Sequence, residues 1–223
     1  MNYFVVIPAF NEEKTLSRVL ESVSQITPHI IVVDDGSTDL TYSIAVKSGA
    51  RVYRHVINRG LGASLTTGIE AALLHGADAI ITFDADGQHN AADIPRMIQL
   101  LEEDRADVVI GSRLLNKDEG MPVIRKAYNI VGNLITYVFF GMKVSDSQSG
   151  LRAFTSKSAR LFKLRSNRME VSSEFINEIK VNRLRYLEIP ITPIYTQYSM
   201  SKGQGLFVGF KTLLKLIVLK ILK

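Results

Sequence analysis

The sequence predicts an α/β fold: a mostly parallel, Rossmann-like sheet with helices on both faces. Three observations predict it. Short apolar runs rich in Val and Ile recur through the first half of the 223 residues. Helix-period segments of about 10–16 residues separate those runs. A polar cluster follows each of the first four runs, where ligands of parallel sheets bind, beyond the carboxyl ends of the strands.

The elements follow in order. YFVVI opens the chain as a strand, and the helical pattern then runs from Asn11 to about Ser24. IIVV (Ile30 to Val33) precedes a helix near Thr38 to Ser48. RVYRH is a short strand, and Gly60 to His75 reads as a helix. AIITF (Ala79 to Phe83) leads to a helix over Ala91 to Glu103, and DVVIG ends the series at Gly111. The second half is less regular. Arg125 to Phe140 reads as an apolar helix with a polar start, followed by DSQSGLRAF, a helix near Ser172 to Val181 and the extended YLEIPITPIY. From about Leu206 to Lys223 the pattern is a basic amphipathic helix. With no repeat and no low-complexity linker, residues 1–203 form one domain and 204–223 an appendage.

Composition narrows the classes. Apolar residues make up 46% and charged residues 22%, which is globular rather than disordered. The absence of cysteine excludes a disulfide framework, a thiolate metal site and a cysteine nucleophile, and it suits a reducing compartment. MNYFVVIPAFNEE lacks the basic flank and cleavage site of a signal peptide. No stretch reaches the roughly 18 uncharged apolar residues of a spanning helix. The net charge of +5 is uneven: from Lys180 onward it is +7, leaving −2 for residues 1–179. A basic end on a near-neutral body fits an anionic partner surface, and a merely solvated charged face is the plainer alternative. The residues interleaved with the lysines are aliphatic rather than stacking aromatics, so nucleic acid is not expected as a partner.

The chemistry concentrates after the fourth strand, in Asp84-Ala85-Asp86-Gly87-Gln88-His89. Alternation puts Asp84 and Asp86 on one side of the strand end. Two such carboxylates repel, and one pKa rises, unless a cation sits between them. Their hard oxygens suit Mg²⁺ or Mn²⁺ with substrate phosphates completing the shell, and Gln88 offers a third oxygen. The competing role for the Asp and Asn residues here is to cap the following helix. After strand two, Asp34-Asp35-Gly36-Ser37-Thr38-Asp39 places a carboxylate within reach of a base or ribose, with Ser37 or Thr38 as a cap. In Pro8-Ala9-Phe10-Asn11-Glu12, Phe10 can face a nucleobase and Glu12 a ribose, or Asn11 and Glu12 simply begin the helix. Asn58-Arg59-Gly60-Leu61-Gly62 is a glycine-rich turn with a cation, but it lacks P-loop spacing, and no GxGxxG follows strand one.

Taken in order, VVIPAFNEE, VVDDGSTD, NRGLGAS, TFDADGQH, GSR and DSQSGLRAF resemble glycosyltransferase family 2 with a GT-A fold, over roughly residues 3–202. Within it the chain is similar to the dolichyl- and polyprenyl-phosphate sugar transferases. The resemblance implies donor contacts from Pro8, Phe10, Glu12, Val33, Asp34, Asp35, Asn58, Gly62, Asp84 and Ala85. It implies metal ligation by Asp84, Asp86 and Gln88, with Mg²⁺ or Mn²⁺ as cofactor. Arg113 of GSR and Arg125 are the cations it places at phosphates of donor or acceptor, and Lys202 near the acceptor phosphate. Arg152 joins them as a further cation able to counter repulsion between two phosphate-bearing substrates, and Asp86, Arg113 and Arg125 are the residues on which catalysis is expected to depend. The implied reaction is inverting transfer from a nucleotide-diphosphate sugar, GDP-mannose or UDP-hexose, to a polyprenyl or dolichyl monophosphate.

An alcohol acceptor needs a general base, whereas a phosphate monoester is already anionic and needs cations instead. The TED and QxxRW motifs of polysaccharide-building relatives are absent, and Asp146 remains a candidate base. Transfer to a sugar hydroxyl is the first alternative. A non-catalytic nucleotide-sugar-binding module is the second, against which the intact carboxylates speak. GLFVGFKTLLKLIVLKILK places its lysines on one half of a helical wheel and Phe210, Leu213, Leu214, Ile217 and Ile221 opposite. This predicts a helix lying in a membrane interface, or else one packed on the domain or a dimer partner. Residues 125–140 read equally as a second interfacial helix or a core helix. The location expected is peripheral, on the cytoplasmic face of a membrane, and the sequence sets no oligomeric state.

Overall fold

The structure, a computed structural model, describes residues 1–115 and 123–194, and for residues 123–128 the backbone alone. Lys202 and the 206–223 helix expected above lie outside the described residues, as does the extension of YLEIPITPIY beyond Ile194.

The strands are β1 (Tyr3–Ala9), β2 (Ile30–Asp34), β3 (Arg51–Arg54), β4 (Ala79–Thr82), β5 (Val108–Ser112), β6 (Arg152–Thr155) and β7 (Tyr186–Pro190). They form one sheet in the order β3-β2-β1-β4-β6-β5-β7. Only β6 runs antiparallel to its neighbours, β4 and β5. The helices are α1 (Leu16–Ser24), α2 (Thr41–Lys47), α3 (Leu61–Leu74), α4 (Ile94–Glu102), α5 (Val123–Phe140), the single turn α6 (Ser156–Ala159) and α7 (Val171–Val181).

The apolar runs work because each central strand is buried on both sides. In β1, Val5 and Ile7 join Leu16, Val19, Leu20 and Val23 of α1 and Ile94, Met97, Ile98 and Leu101 of α4 in one core. Phe4 and Val6 point the other way, toward Leu65 and Ile69 of α3 and Phe175, Ile176 and Ile179 of α7. Two-residue alternation along one strand thus sorts two cores.

Helix starts differ from the sequence expectation. α1 begins at Leu16 rather than near Asn11, because Asn11 takes a left-handed φ of 53° and the chain turns through Glu12 first. α4 is preceded by a short 3-10 turn, Ala91–Asp93, and carries its proline in the first turn, where no hydrogen bond is lost.

Strand order positions the site. β1 connects to β2 on one side, whereas β4 pairs on its other side, so the order reverses between β1 and β4. That reversal is where crevices open in such sheets. Pro8 helps open it. Even-numbered residues of β1 face β4, as Val6 does in accepting from Phe83 N, so Pro8 meets that side without an N–H. The β1–β4 ladder ends at Val6 and Thr82, while pairing to β2 continues through Pro8–Val33 to Ala9–Asp34.

Candidate active site

The carboxyl ends of the parallel strands share one edge of the sheet. Because β6 is antiparallel, its entering loop, residues 145–151, arrives at the same edge. PAFNE, DDGSTD, HVINRG, DADGQH, GSR and DSQSG are therefore brought together by topology.

The first two loops are bonded to each other. Asn11 N donates to Ser37 Oγ at 3.0 Å, Thr38 N to Asn11 Oδ1 at 3.0 Å, and Glu12 N to Thr41 Oγ1 at 2.7 Å. Glu13 N donates to Asp39 Oδ2 at 3.2 Å, and Leu40 N to Glu13 Oε2 at 3.2 Å. Ser37 thus serves a neighbouring loop, and the N-cap of α2 is Leu40, with no side-chain cap. Phe10 emerges from this loop pair 43% exposed, while Pro8 and Val33 are buried register partners beneath it.

The adjacent aspartates diverge in role. Asp34 is fully buried, accepting from Ser37 N at 3.2 Å with Arg54 Nε 3.0 Å from its second oxygen. That second oxygen has no aligned hydrogen-bond donor among the described residues, so proximity to Arg54 neutralises it without satisfying it. Arg54 itself stacks over Tyr42 at 4.4 Å. Asp35 anchors the following turn: its carboxylate accepts from Arg59 N at 2.9 Å, Gly60 N at 2.7 Å and His55 Nδ1 at 2.7 Å. His55 in turn meets Thr67 Oγ1 at 3.0 Å. A cleft of about 430 Å³ lined by Gly36, Ser37, Thr38, Arg54, His55 and Val56 opens beside these residues. Asn58 is exposed on the turn, whereas Gly62 is buried against the chain, its N–H donating to Asn167 O at 2.9 Å.

Asp84 and Asp86 follow β4 into the crevice. Neither acts as a cap; Asn90 caps the 3-10 turn that leads into α4, accepting from Ala92 N at 3.0 Å. Asp84 Oδ2 accepts from His89 Nε2 at 2.9 Å, and Asp86 accepts from Gln88 N at 2.9 Å and from the Gln88 amide. Ala85 between them is buried. Burial works to raise the Asp84 carboxyl. The His89 hydrogen bond and the charges of His89, Arg152 and Arg113 outweigh it and hold the group below the ordinary carboxylate range. Asp86 is pushed up, first by burial and then by the charge of Asp84. A divalent ion would remove that repulsion, and the oxygen donors suit Mg²⁺ or Mn²⁺. Among the described residues no group of three His, Cys, Asp or Glu side chains gathers as a ligand set.

Across the crevice, Arg113 grips Asp146. Its Nε and one terminal nitrogen donate to the two carboxylate oxygens at 2.7 and 2.8 Å, and its backbone N–H adds a bond at 3.1 Å. Asp146 is fully buried, while the Arg113 side chain keeps 18% exposure. The flanking loop is held from two sides, by β7 and by α5. Ser145 donates to Glu188 Oε1 from both N and Oγ, Asn133 of α5 accepts from Ser147 N at 2.8 Å, and Thr136 meets Ser147 Oγ at 3.2 Å.

Arg152 is 1% exposed, so the direct acceptor contact expected of it does not match its place beneath the floor of the crevice. Its guanidinium donates to Ser147 O at 3.1 Å and lies 5.0 Å from the Phe175 ring. Burial pushes its pKa down to about 10, against the pull of Asp84 and Asp146, so it stays charged near neutrality. Arg125 falls in the first turn of α5, with its side chain outside the description. The sequence reading missed Thr41, His55 and Asn133, whose partners are remote in sequence. Gly150 lay inside a noted motif without a role.

The model of glycosyl transferase family 2 matches residues 4–164. The chain belongs to glycosyltransferase family 2. Among family 2 relatives it is 38% identical to a UDP-N-acetylglucosamine–dolichyl-phosphate N-acetylglucosaminyltransferase of Methanococcus voltae, over 97% of this chain and 95% of that one. It is 30% identical to an undecaprenyl-phosphate mannosyltransferase of Micrococcus luteus, over 94% and 90%. The fold is that of glucosyl-3-phosphoglycerate synthase from Mycobacterium tuberculosis, crystallised with Mn²⁺ and uridine-diphosphate-glucose. The TM-score is 0.70 at 19% identity, covering 97% of this chain and 76% of that one. At that identity the likeness speaks for the GT-A fold alone.

Proposed function

We propose that this chain transfers a sugar from GDP-mannose or a UDP-hexose to the phosphate of a polyprenyl or dolichyl monophosphate, with inversion, at the cytoplasmic face of a membrane. The observation that carries the reading is the Asp84–Asp86 pair at the switch point, one carboxyl held down and the other pushed up. Mg²⁺ or Mn²⁺ held by Asp84, Asp86 and Gln88 would stabilise the charge developing on the departing diphosphate. Phe10 and Glu12 receive base and ribose, on loops whose mutual hydrogen bonds fix their spacing, while Asp34, fully buried, supports them from beneath through Ser37 and Arg54 rather than by the direct contact expected of it. Asp35 acts through the Asn58–Gly62 turn that it anchors.

An acceptor phosphate oxygen attacks the anomeric carbon as the bond from that carbon to the donor diphosphate breaks. No proton has to be removed, because the acceptor is already anionic. This suits a site in which both oxygens of Asp146 are occupied by Arg113. Arg113, Arg125 and Lys202 counter the repulsion between two phosphate-bearing substrates. Arg152 supports the same balance from below, as a buried countercharge to Asp84 and Asp146.

Membrane contact is supported by α5. Ile130, Val131, Leu134, Tyr137 and Val138 stand 52–62% exposed at helical spacing on one face, while Asn133 and Thr136 bond the 145–147 loop from another. No helix among the described residues is long and apolar enough to cross a membrane. An apolar stripe of this kind lies in an interface. The test is an acceptor panel: polyprenyl phosphate, free polyprenol and oligosaccharides with UDP- and GDP-sugars and Mn²⁺, products identified by mass. A glycosyl phosphoprenol is expected. Sugar appearing on an oligosaccharide but not on the lipid phosphate would overturn the reading.

A further inference from the structure

We propose that His89 and Gly150 form a two-sided clamp that sets the orientation in which Asp84 meets a divalent cation, with His89 a positioning residue rather than a ligand. The inference rests on the metal reading above and deepens it.

Among the described residues the His89 side chain has one polar partner. That side chain is 2% exposed, its Nε2 lies 2.9 Å from Asp84 Oδ2, and its buried Nδ1 meets no hydrogen-bond partner among them. A carboxylate only accepts, so the proton shared with Asp84 is assigned to Nε2. A ring serving only to fill space would be better replaced by an aliphatic side chain, which leaves no bare nitrogen in the interior. The bond to Asp84 is the polar function that this imidazole performs. The ring is also fixed in place: it packs edge-on to Phe83 at 5.4 Å and 68°, and Phe83 immediately precedes Asp84.

Gly150 closes the other side. A Cβ built there would lie 2.1–2.4 Å from the carboxylate atoms of Asp84, a separation no side chain tolerates. Thr82 Oγ1 donates to Gly150 O at 2.6 Å, tying this close approach to β4 itself. Asp84 therefore rests between an imidazole N–H and a bare backbone, with 38% of its side chain still open to the crevice. Partners that orient metal ligands in this way typically change metal affinity by about 10–100-fold when removed.

The test measures Mn²⁺ affinity of the full chain by electron paramagnetic resonance, with and without UDP or GDP, beside a thermal melt. His89→Leu is expected to weaken Mn²⁺ binding by about 10–100-fold, and Gly150→Ala by a similar factor as its methyl displaces the carboxylate. His89→Gln, whose amide nitrogen reaches nearly as far as Nε2, is expected to stay within about threefold of the parent. Should His89→Leu fail to fold, His89→Asn, one methylene too short, carries the same expected loss. Parent-like Mn²⁺ affinity in both the folded His89 variant and Gly150→Ala would overturn the clamp. A parent chain that binds no Mn²⁺ with either nucleotide would overturn the metal reading beneath it.

Discussion

Two carboxylates two residues apart, Asp84 and Asp86, are pulled in opposite directions by their surroundings. Asp84 has His89, Arg152 and Arg113 around it, while Asp86 has burial and the Asp84 charge against it. Asp86→Ala is expected to lower transfer by about 10³-fold, since a cation at a leaving diphosphate contributes several kcal/mol. The fold should survive, which circular dichroism checks. Asp146 makes a second residue-level case. Removing one partner of a buried ion pair costs about 3–5 kcal/mol. Asp146→Asn, which keeps an acceptor oxygen, should cost about 3 kcal/mol in urea denaturation, and transfer should fall as Arg113 loses its anchor. The rate–pH profile should keep its shape; losing the acidic limb, along which a base becomes protonated, would make Asp146 a base instead. The aspartate spacing was legible in the chain because the pattern is local. The Arg113–Asp146 pair was not, since its members sit 33 residues apart in two loops that only the sheet brings together. The split between Asp34 and Asp35 was equally hidden, because it depends on His55 and the 59–60 backbone.

Elements were legible wherever a strand is buried on both faces or a helix shows a clean apolar stripe, as in β1, β2 and α1. β6 was not. RAFT is four residues long, and its strand character comes from insertion between β4 and β5, a tertiary choice without a local pattern. The start of α1 also misled, because Asn11 and Glu12 look like cap residues and instead bond the β2–α2 loop. The Asn58–Gly62 turn shows what such packing demands. A Cβ on Gly62 would fall 1.7 Å from Ser166 O, against backbone that cannot rotate away. Gly62→Ala is expected to destabilise the fold by about 1–3 kcal/mol in urea denaturation, with the 165–168 segment displaced.

On the scale of the whole molecule, an exposed ion-pair cluster at the entry to β7 and an apolar stripe on α5 can each be tested. Arg185 at the entry to β7 donates to Asp107 and Asp104, and that hydrogen bonding holds the Asp107 carboxyl below its ordinary range. A depressed carboxyl contributes stability above its unfolded pKa, and the contribution fades as pH falls through the folded value. Arg185→Gln should therefore lower the melting temperature slightly at pH 7, by about 2 °C or less for so exposed a pair, and by less near pH 3. Melting curves at the two pH values check the sign. The exposed stripe of α5 belongs to this scale too. Leu134→Glu with Val138→Glu should reduce recovery on anionic liposomes by about tenfold or more, and unchanged flotation would remove α5 from the membrane contact. The most direct measurement looks inside the crevice. Crystals soaked with Mn²⁺ and a nucleoside diphosphate, with diffraction collected at the manganese edge, should show an anomalous peak between Asp84 and Asp86 against the diphosphate oxygens. Bound nucleotide with no peak there, and with both aspartates bonded elsewhere, would contradict the account.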